Sequence, residues 1–260
     1  MLAALLLGAL LSGCGSKERK PDDRITAVEL YEDAKKAMLS GSYSRAIVGY
    51  RFLQSRFPFG RYAEQAQLEL AYCYHKNFEP DLAITTLDRF IKTYPTHPSI
   101  DYAFYLRGLT NFSRDRGFLS RVLPGDYDDR DQSFSQESFR SFDQLIRRFP
   151  ESVYADDTRE RMLVLRASMA SHDLGVAEYY LRRGVSVAAA NRAQYIIETY
   201  QESPQTGGAL AVLAQAYEQL ELAELSNDTY RVLQMNYPDH PYVTGRYEKQ
   251  GWIERLWPFD

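Results

Sequence analysis

Proline follows a phenylalanine or tyrosine at four points spread along the chain: Phe57-Pro58, Tyr94-Pro95, Phe149-Pro150 and Tyr237-Pro238. Proline lacks the N–H that a helix interior needs, and it pushes the residue before it out of the helical region. Each pair therefore reads as a helix end. The residues ahead of these ends fall into columns, with Tyr200-Gln201 as a fifth, degenerate member. Twelve residues before the proline position sit Ala46, Ala83, Ser138, Ala189 and Ser226, all small. Eight before it come Tyr50, Leu87, Phe142, Ala193 and Tyr230, and five before it Leu53, Phe90, Leu145, Ile196 and Leu233. Steps of four, three and four place each set on one face of an α-helix.

Successive ends lie 37, 55, 51 and 37 residues apart. The tetratricopeptide unit, a helix pair with a period of about 34 residues, has small residues and an aromatic in its second helix and proline near its close. Two spacings fit that unit and two carry an insertion. First helices supply the rest of the pattern, with Leu70, Ala71 and Tyr74 in the second repeat and Leu213, Ala214 and Tyr217 in the fifth. The fold predicted is all-α: a tetratricopeptide-repeat superhelix of five helix pairs, in two arms joined by a long helix. Residues 25–153 form the N-terminal arm (repeats one to three, with an insertion at about 113–133), and residues 154–240 the C-terminal arm. Met162, Leu163, Leu165 and Met169 continue a helical pattern from Tyr154 toward Arg183, as one helix or two nearly collinear ones, with Gly175 the weakest point for a break.

Catalytic constellations are missing from the sequence: there is no Gly-rich phosphate loop, His-Glu-x-x-His, Cys-x-x-Cys or Gly-x-Ser-x-Gly. The acidic run Asp126 to Asp131 fails as a calcium loop, because Asp131 stands where the turn needs glycine and Arg130 where a ligand belongs. A formal net charge of -4 gives no basic footprint for nucleic acid. Neither a metal nor a diffusible cofactor is expected. Cys73 reads as a small core residue.

Met1 to Gly13 are apolar or small and uncharged, then Cys14 is followed by Gly15 and a charged stretch containing Lys17, Glu18, Arg19 and Lys20. This resembles a bacterial lipoprotein signal ending in a lipobox, apart from the lack of a basic residue before the apolar run. The resemblance implies a signal peptide over 1–13 and Cys14 as the lipidated N-terminus, bearing diacylglyceryl and acyl groups. Residues 14–24 would be an extended tether, and glycine after the cysteine favours the outer membrane of a Gram-negative cell, facing the periplasm.

Three strings fall in order along the chain: Tyr105-Leu106-Arg107-Gly108-Leu109-Thr110-Asn111, then Asp129-Arg130-Asp131 in the insertion, then Ala177-Glu178-Tyr179-Tyr180 with Arg183-Gly184 and Asn191-Arg192. Together with the lipobox they resemble the BamD (ComL) family, lipoproteins of the outer-membrane β-barrel assembly machinery. The resemblance implies a non-enzymatic scaffold. Its C-terminal arm would bind a POTRA domain of BamA, here through Arg183 and Arg192, and accessory Bam lipoproteins would join it. Its N-terminal arm would receive targeting strands of unfolded outer-membrane β-barrel proteins. First helices line the concave face of such repeats, which places Tyr31, Lys35, Leu68, Tyr72, His75, Tyr102 and Tyr105 along one client groove. For each tyrosine, packing against a neighbouring helix is the alternative, and for the two arginines an intramolecular pair, for instance with Glu178 or Glu198. Another envelope tetratricopeptide lipoprotein, coordinating cell-wall synthesis or acting as a periplasmic holdase, would share the fold and address. Residues 241–260, with Trp252, Ile253, Leu256, Trp257 and Phe259, read as a tail or capping helix, or as a partner or membrane-surface anchor.

Overall fold

The computed structural model describes residues 25–115 and 132–245. Among them are ten α-helices: α1 (Ala27–Leu39), α2 (Tyr43–Arg56), α3 (Arg61–Lys76), α4 (Pro80–Thr93), α5 (Ile100–Asp115), α6 (Ser133–Arg148), α7 (Ala155–Arg182), α8 (Ser186–Thr199), α9 (Thr206–Gln219) and α10 (Ala223–Asn236). In chain order they alternate as five first and five second helices. The chain divides after Cys73, within α3, into two compact units. In the first, α1 packs on α2. In the second, each helix from α4 to α10 packs on the next, and α9 also touches α7.

The aromatic residue at the close of every second helix has left the helical region. Phe57, Tyr94, Phe149, Tyr200 and Tyr237 have φ of -128°, -125°, -137°, -114° and -136°. Each still donates its N–H to the carbonyl five residues ahead of the proline position, at 2.7–2.9 Å. Proline enforces the extended backbone in four cases. Tyr200 adopts it before Gln201, so the turn does not depend on proline alone.

Within a pair, the link between helices is a second recurring turn. Ser42, Glu79, Val185 and Leu222 each donate an N–H to a carbonyl five residues back, at 2.9 Å. The residue before each is left-handed: Gly41 (φ 77°), Phe78 (61°), Gly184 (71°) and Glu221 (61°). This is the Schellman closure, which satisfies carbonyls that a helix end would otherwise strand. Glycine fills two of the four places without steric cost.

The columns are the core. Ala46, Ala83, Ser138 and Ala189, and Tyr50, Leu87, Phe142 and Ala193, all have no exposed area, and neither do Leu53, Phe90, Leu145, Ile196 and Leu233. Full burial of each large member contributes about 1.5–3 kcal/mol. Cys73 is likewise fully buried.

Of the two readings for the stretch from Tyr154 toward Arg183, one helix or two, the single helix is the one observed: α7 runs for 28 residues straight through Gly175. Asp173, Ala177 and Leu181 on either side are buried, and that packing outweighs the roughly 1 kcal/mol that a helical glycine costs. One expectation needs correction: the insertion starts later than Ser113, because α5 continues to Asp115. Cys14, the tether, the acidic run and residues 246–260 lie outside the described residues.

Candidate functional site

Glu69 organises the first unit. It is buried on α3, and Oε1 accepts hydrogen bonds from the Tyr31 hydroxyl at 2.7 Å, Gln65 Nε2 at 3.0 Å and Lys35 Nζ at 3.4 Å. Oε2 accepts from the fully buried Tyr50 hydroxyl at 2.5 Å. Lys35 Nζ also lies 5.2 Å from the Tyr31 ring centroid and accompanies its hydroxyl at 3.1 Å. A carboxylate taken out of water is tolerated only when its lone pairs are filled, and here four donors fill them.

This arrangement corrects part of the predicted groove. Tyr31 and Leu68 are 5% and 2% exposed. Both are core residues, because α1 and α3 turn these positions into the helix packing. Lys35 and Tyr72 stay half-exposed, with Tyr72 edge-on to Tyr43 at 6.2 Å.

Burial pushes the Tyr31 hydroxyl up to about 12, helped by the Glu69 charge and opposed by Lys35. Tyr50 is raised further by burial and then by Glu69. Both tyrosines are held protonated in the fold, so their stabilisation is complete below their ordinary value of 10.0 and is lost as pH rises above it, through about 12 for Tyr31 and higher still for Tyr50. The urea midpoint is expected to fall between pH 10 and 12 as phenolate absorbance grows. Phenolate appearing near pH 10 for every tyrosine, with no change in midpoint, would contradict this.

In the second unit the predicted residues meet partners that the columns did not indicate. Tyr105 stacks on Tyr154 at 4.7 Å and 17°, and Tyr102 lies 5.4 Å from the same ring. The Tyr105 hydroxyl donates to Asp157 Oδ2 at 2.7 Å, and Arg161 grips both Asp157 oxygens at 2.6 and 3.0 Å. Arg161 holds the Asp157 carboxyl below its usual range, with burial opposing and Tyr105 adding to the effect. The result is a half-exposed strip of three tyrosines with one guanidinium beside it. His75 is half-buried, its Nδ1 3.0 Å from the Thr110 hydroxyl, and burial lowers its basicity.

Arg183 and Arg192 differ in setting. Arg183 is exposed in the turn after α7, its guanidinium 5.3 Å from the Tyr179 ring centroid. Arg192, on α8, reaches back to α7 and donates Nη1 to Asp173 Oδ1 at 3.0 Å. The intramolecular partner is therefore Asp173, in place of Glu198 or Glu178; Glu178 lies 4.0 Å from Arg182. Asp173 also accepts from the buried Tyr200 hydroxyl at 3.1 Å. The arginine side chain keeps 41% of its area exposed while Asp173 keeps 12%. One side of the guanidinium is anchored and the rest faces outward.

The sequence pattern of the YfiO family, described as outer membrane lipoprotein, matches residues 23–233. The outer membrane protein assembly factor BamD of Neisseria meningitidis serogroup B is 41% identical over 257 residues, covering 97% of this chain and 94% of its own. BamD of Xylella fastidiosa strain 9a5c is 40% identical over 99% of this chain and 90% of its own. BamD of Vibrio cholerae is 38% identical over 90% and 97%. The chain belongs to the BamD family.

Several residues in the BamD-family strings have structural work in this chain. Arg107 spends its whole guanidinium internally, on Ser141 at 3.0 Å, Asp88 at 2.8 Å and Gln144 at 2.8 Å. Gly108 admits the Phe142 ring, and its carbonyl accepts from Ser138 Oγ at 2.8 Å. Thr110 and Asn111 are buried. Sequence reasoning missed Glu69, Tyr154, Asp157, Arg161 and Asp173. Only Glu69 left a trace, as a charge between Leu68 and Leu70.

Proposed function

We propose that this BamD-family chain is a non-enzymatic, lipid-anchored scaffold of the outer-membrane β-barrel assembly machinery, held at the outer membrane through Cys14 and facing the periplasm. Its fourth and fifth repeats bind a POTRA domain of BamA, and Arg183 and Arg192 supply the cationic contacts. Accessory Bam lipoproteins join the same assembly. Its first three repeats take targeting strands of unfolded β-barrel proteins. The observation that carries this reading is family membership over nearly the whole chain, at 41% identity to an outer membrane protein assembly factor.

The local chemistry supports the roles given to the residues. A guanidinium with one side anchored loses less freedom when its other donors meet a partner's carboxylate, which suits Arg192 to an interface. Tyr102, Tyr105 and Tyr154 pair apolar area with polar tips beside the Arg161 cation, which suits an extended apolar strand ending in a carboxylate. In the first unit, Lys35 and Tyr72 offer the same combination.

The test is a mild-detergent pull-down of the lipidated protein from outer membranes. Wild type is expected to retain a barrel protein with POTRA domains. Arg192→Glu is expected to reduce its recovery by about tenfold or more, because disrupting a close interfacial charge pair costs about 2–5 kcal/mol. Arg183→Glu, on the exposed turn, is the companion variant, and circular dichroism checks that both stay helical. Recovery of cell-wall enzymes by wild type, or of no partner, would sink the proposal.

A further inference from the structure

The Schellman turn inside a helix pair keeps one backbone shape while its sequence changes character. The residue that closes it is Ser42 in the first pair, Glu79 in the second, Val185 in the fourth and Leu222 in the fifth. Their φ values are -82°, -112°, -89° and -92°, and their ψ values 62°, 65°, 62° and 65°. None of the four side chains caps the helix that follows. Two residues further on stand Ser44, Asp81, Val187 and Glu224. An apolar residue at the closing place often packs back on the helix end. Ser42 and Glu79 nevertheless close the same turn with the same 2.9 Å N–H bond. The backbone therefore does not ask for valine or leucine at 185 and 222.

Nor does the core. Val185, Val187, Leu222 and Leu225 are 48%, 58%, 43% and 47% exposed. The second turn exposes Phe78 and Leu82 as well, but Glu79 and Asp81 stand between them, and apolar side chains scattered singly are ordinary. The fourth and fifth turns instead lie side by side: Ser186 Oγ, at the start of α8, donates to Gln219 Oε1, at the end of α9, at 2.6 Å. A contiguous exposed apolar set marks a contact surface. Its ends carry opposite charge. On the fourth turn Arg183 lies over the half-exposed Tyr179 ring and has no acid partner among the described residues. On the fifth, Glu221 and Glu224 flank Leu222, both exposed and without a cation among the described residues. Anionic lipid headgroups would be repelled by the two glutamates, whereas a folded protein surface can match both signs.

We propose that this edge is the apolar centre of the contact made by the fourth and fifth repeats. The POTRA surface seated on it presents apolar side chains to Val185, Val187, Leu222 and Leu225, a carboxylate to Arg183 and a cation to Glu221 and Glu224. The inference rests on the partner reading given above. It adds what Arg183 and Arg192 do not supply, a desolvated centre to the interface, and the charged ends fix which way round the partner sits.

Serine is the probe, because the first turn already carries it. Val185→Ser with Val187→Ser copies Ser42 and Ser44 into the fourth turn, and Leu222→Ser copies Ser42 into the fifth. The full-length protein in mild detergent is titrated with the purified POTRA region of BamA. The triple variant is expected to bind about tenfold or more weakly, while its unfolding midpoint stays within about 4 °C of wild type. Glu224→Lys is expected to weaken binding about threefold, mainly through slower association. A larger drop in midpoint would show that the apolar residues hold the turns, and would overturn the proposal. Unchanged binding by the triple variant would overturn it too, as would tighter binding by Glu224→Lys. So would a dimer of this chain that the serines dissociate, because a second copy would then cover the edge. Loss of the POTRA region with Arg192→Glu but not with the serines would sink this inference and leave the partner reading standing. No binding by wild type would sink both.

Discussion

Replacing Glu69 with alanine is expected to destabilise the first unit by about 4 kcal/mol. The substitution leaves the hydroxyls of Tyr31 and Tyr50, 5% and 0% exposed, without their acceptor. Each stranded buried hydroxyl costs about 1–3 kcal/mol. Lys35 loses its counter-ion as well, but at 37% exposure it finds water and adds little. Against a domain stability of about 5–15 kcal/mol, such a loss is a large share. Glu69→Gln keeps one carbonyl oxygen as acceptor and should lose about half as much. Urea unfolding followed by far-ultraviolet circular dichroism measures both variants. A loss below about 1 kcal/mol for alanine would show that water replaces the carboxylate and that the cluster is not dry.

Gly108→Ala sets two effects of opposite sign against each other. Alanine is favoured over glycine in a helix interior by about 1 kcal/mol. A Cβ built on Gly108, however, would lie 2.5 Å from Cδ1 and 3.0 Å from Cζ of Phe142, a ring with no exposed area. Forcing an extra carbon into such packing costs about 1–3 kcal/mol. Because the obstacle is a buried ring that also faces Tyr105 at 6.3 Å, the upper end applies and the expected net loss is about 2 kcal/mol. Phe142→Leu in the alanine background should recover part of it, and a double-mutant cycle reads the coupling. A stabilised Gly108→Ala protein would mean that α6 shifts freely and that the close approach carries no specificity.

The repeat columns were legible in the sequence because their spacing is the helical period itself. In the first four repeats the three columns ahead of the closing aromatic are fully buried. The helix-face rule assigned azimuth correctly but not depth: Leu68 and Tyr72 share a face, yet one is core and the other half-exposed. The period gives direction around a helix, and the sequence does not say how far a contact extends along it. The buried acids were invisible for a different reason. Glu69 meets Tyr31 and Tyr50 across 38 and 19 residues, and Asp173 meets Tyr200 across 27. No local period encodes such meetings. Gly175 left the choice between one helix and two open, because local propensity does not register the tertiary packing that carries α7 through.

The aromatic-to-helix turn keeps the same six-residue stride after α4, α6 and α8, while the long spacings are absorbed elsewhere, in the link between α5 and α6 and in the added length of α7. Growth in this architecture is therefore confined to the interior of a helix pair, and the junction between pairs acts as a fixed gauge. A fluorescent tag or an extra domain spliced between residues 116 and 131 would leave that gauge untouched. The same splice at Pro95, Pro150 or Gln201 would change the step from one pair to the next and misalign every repeat downstream.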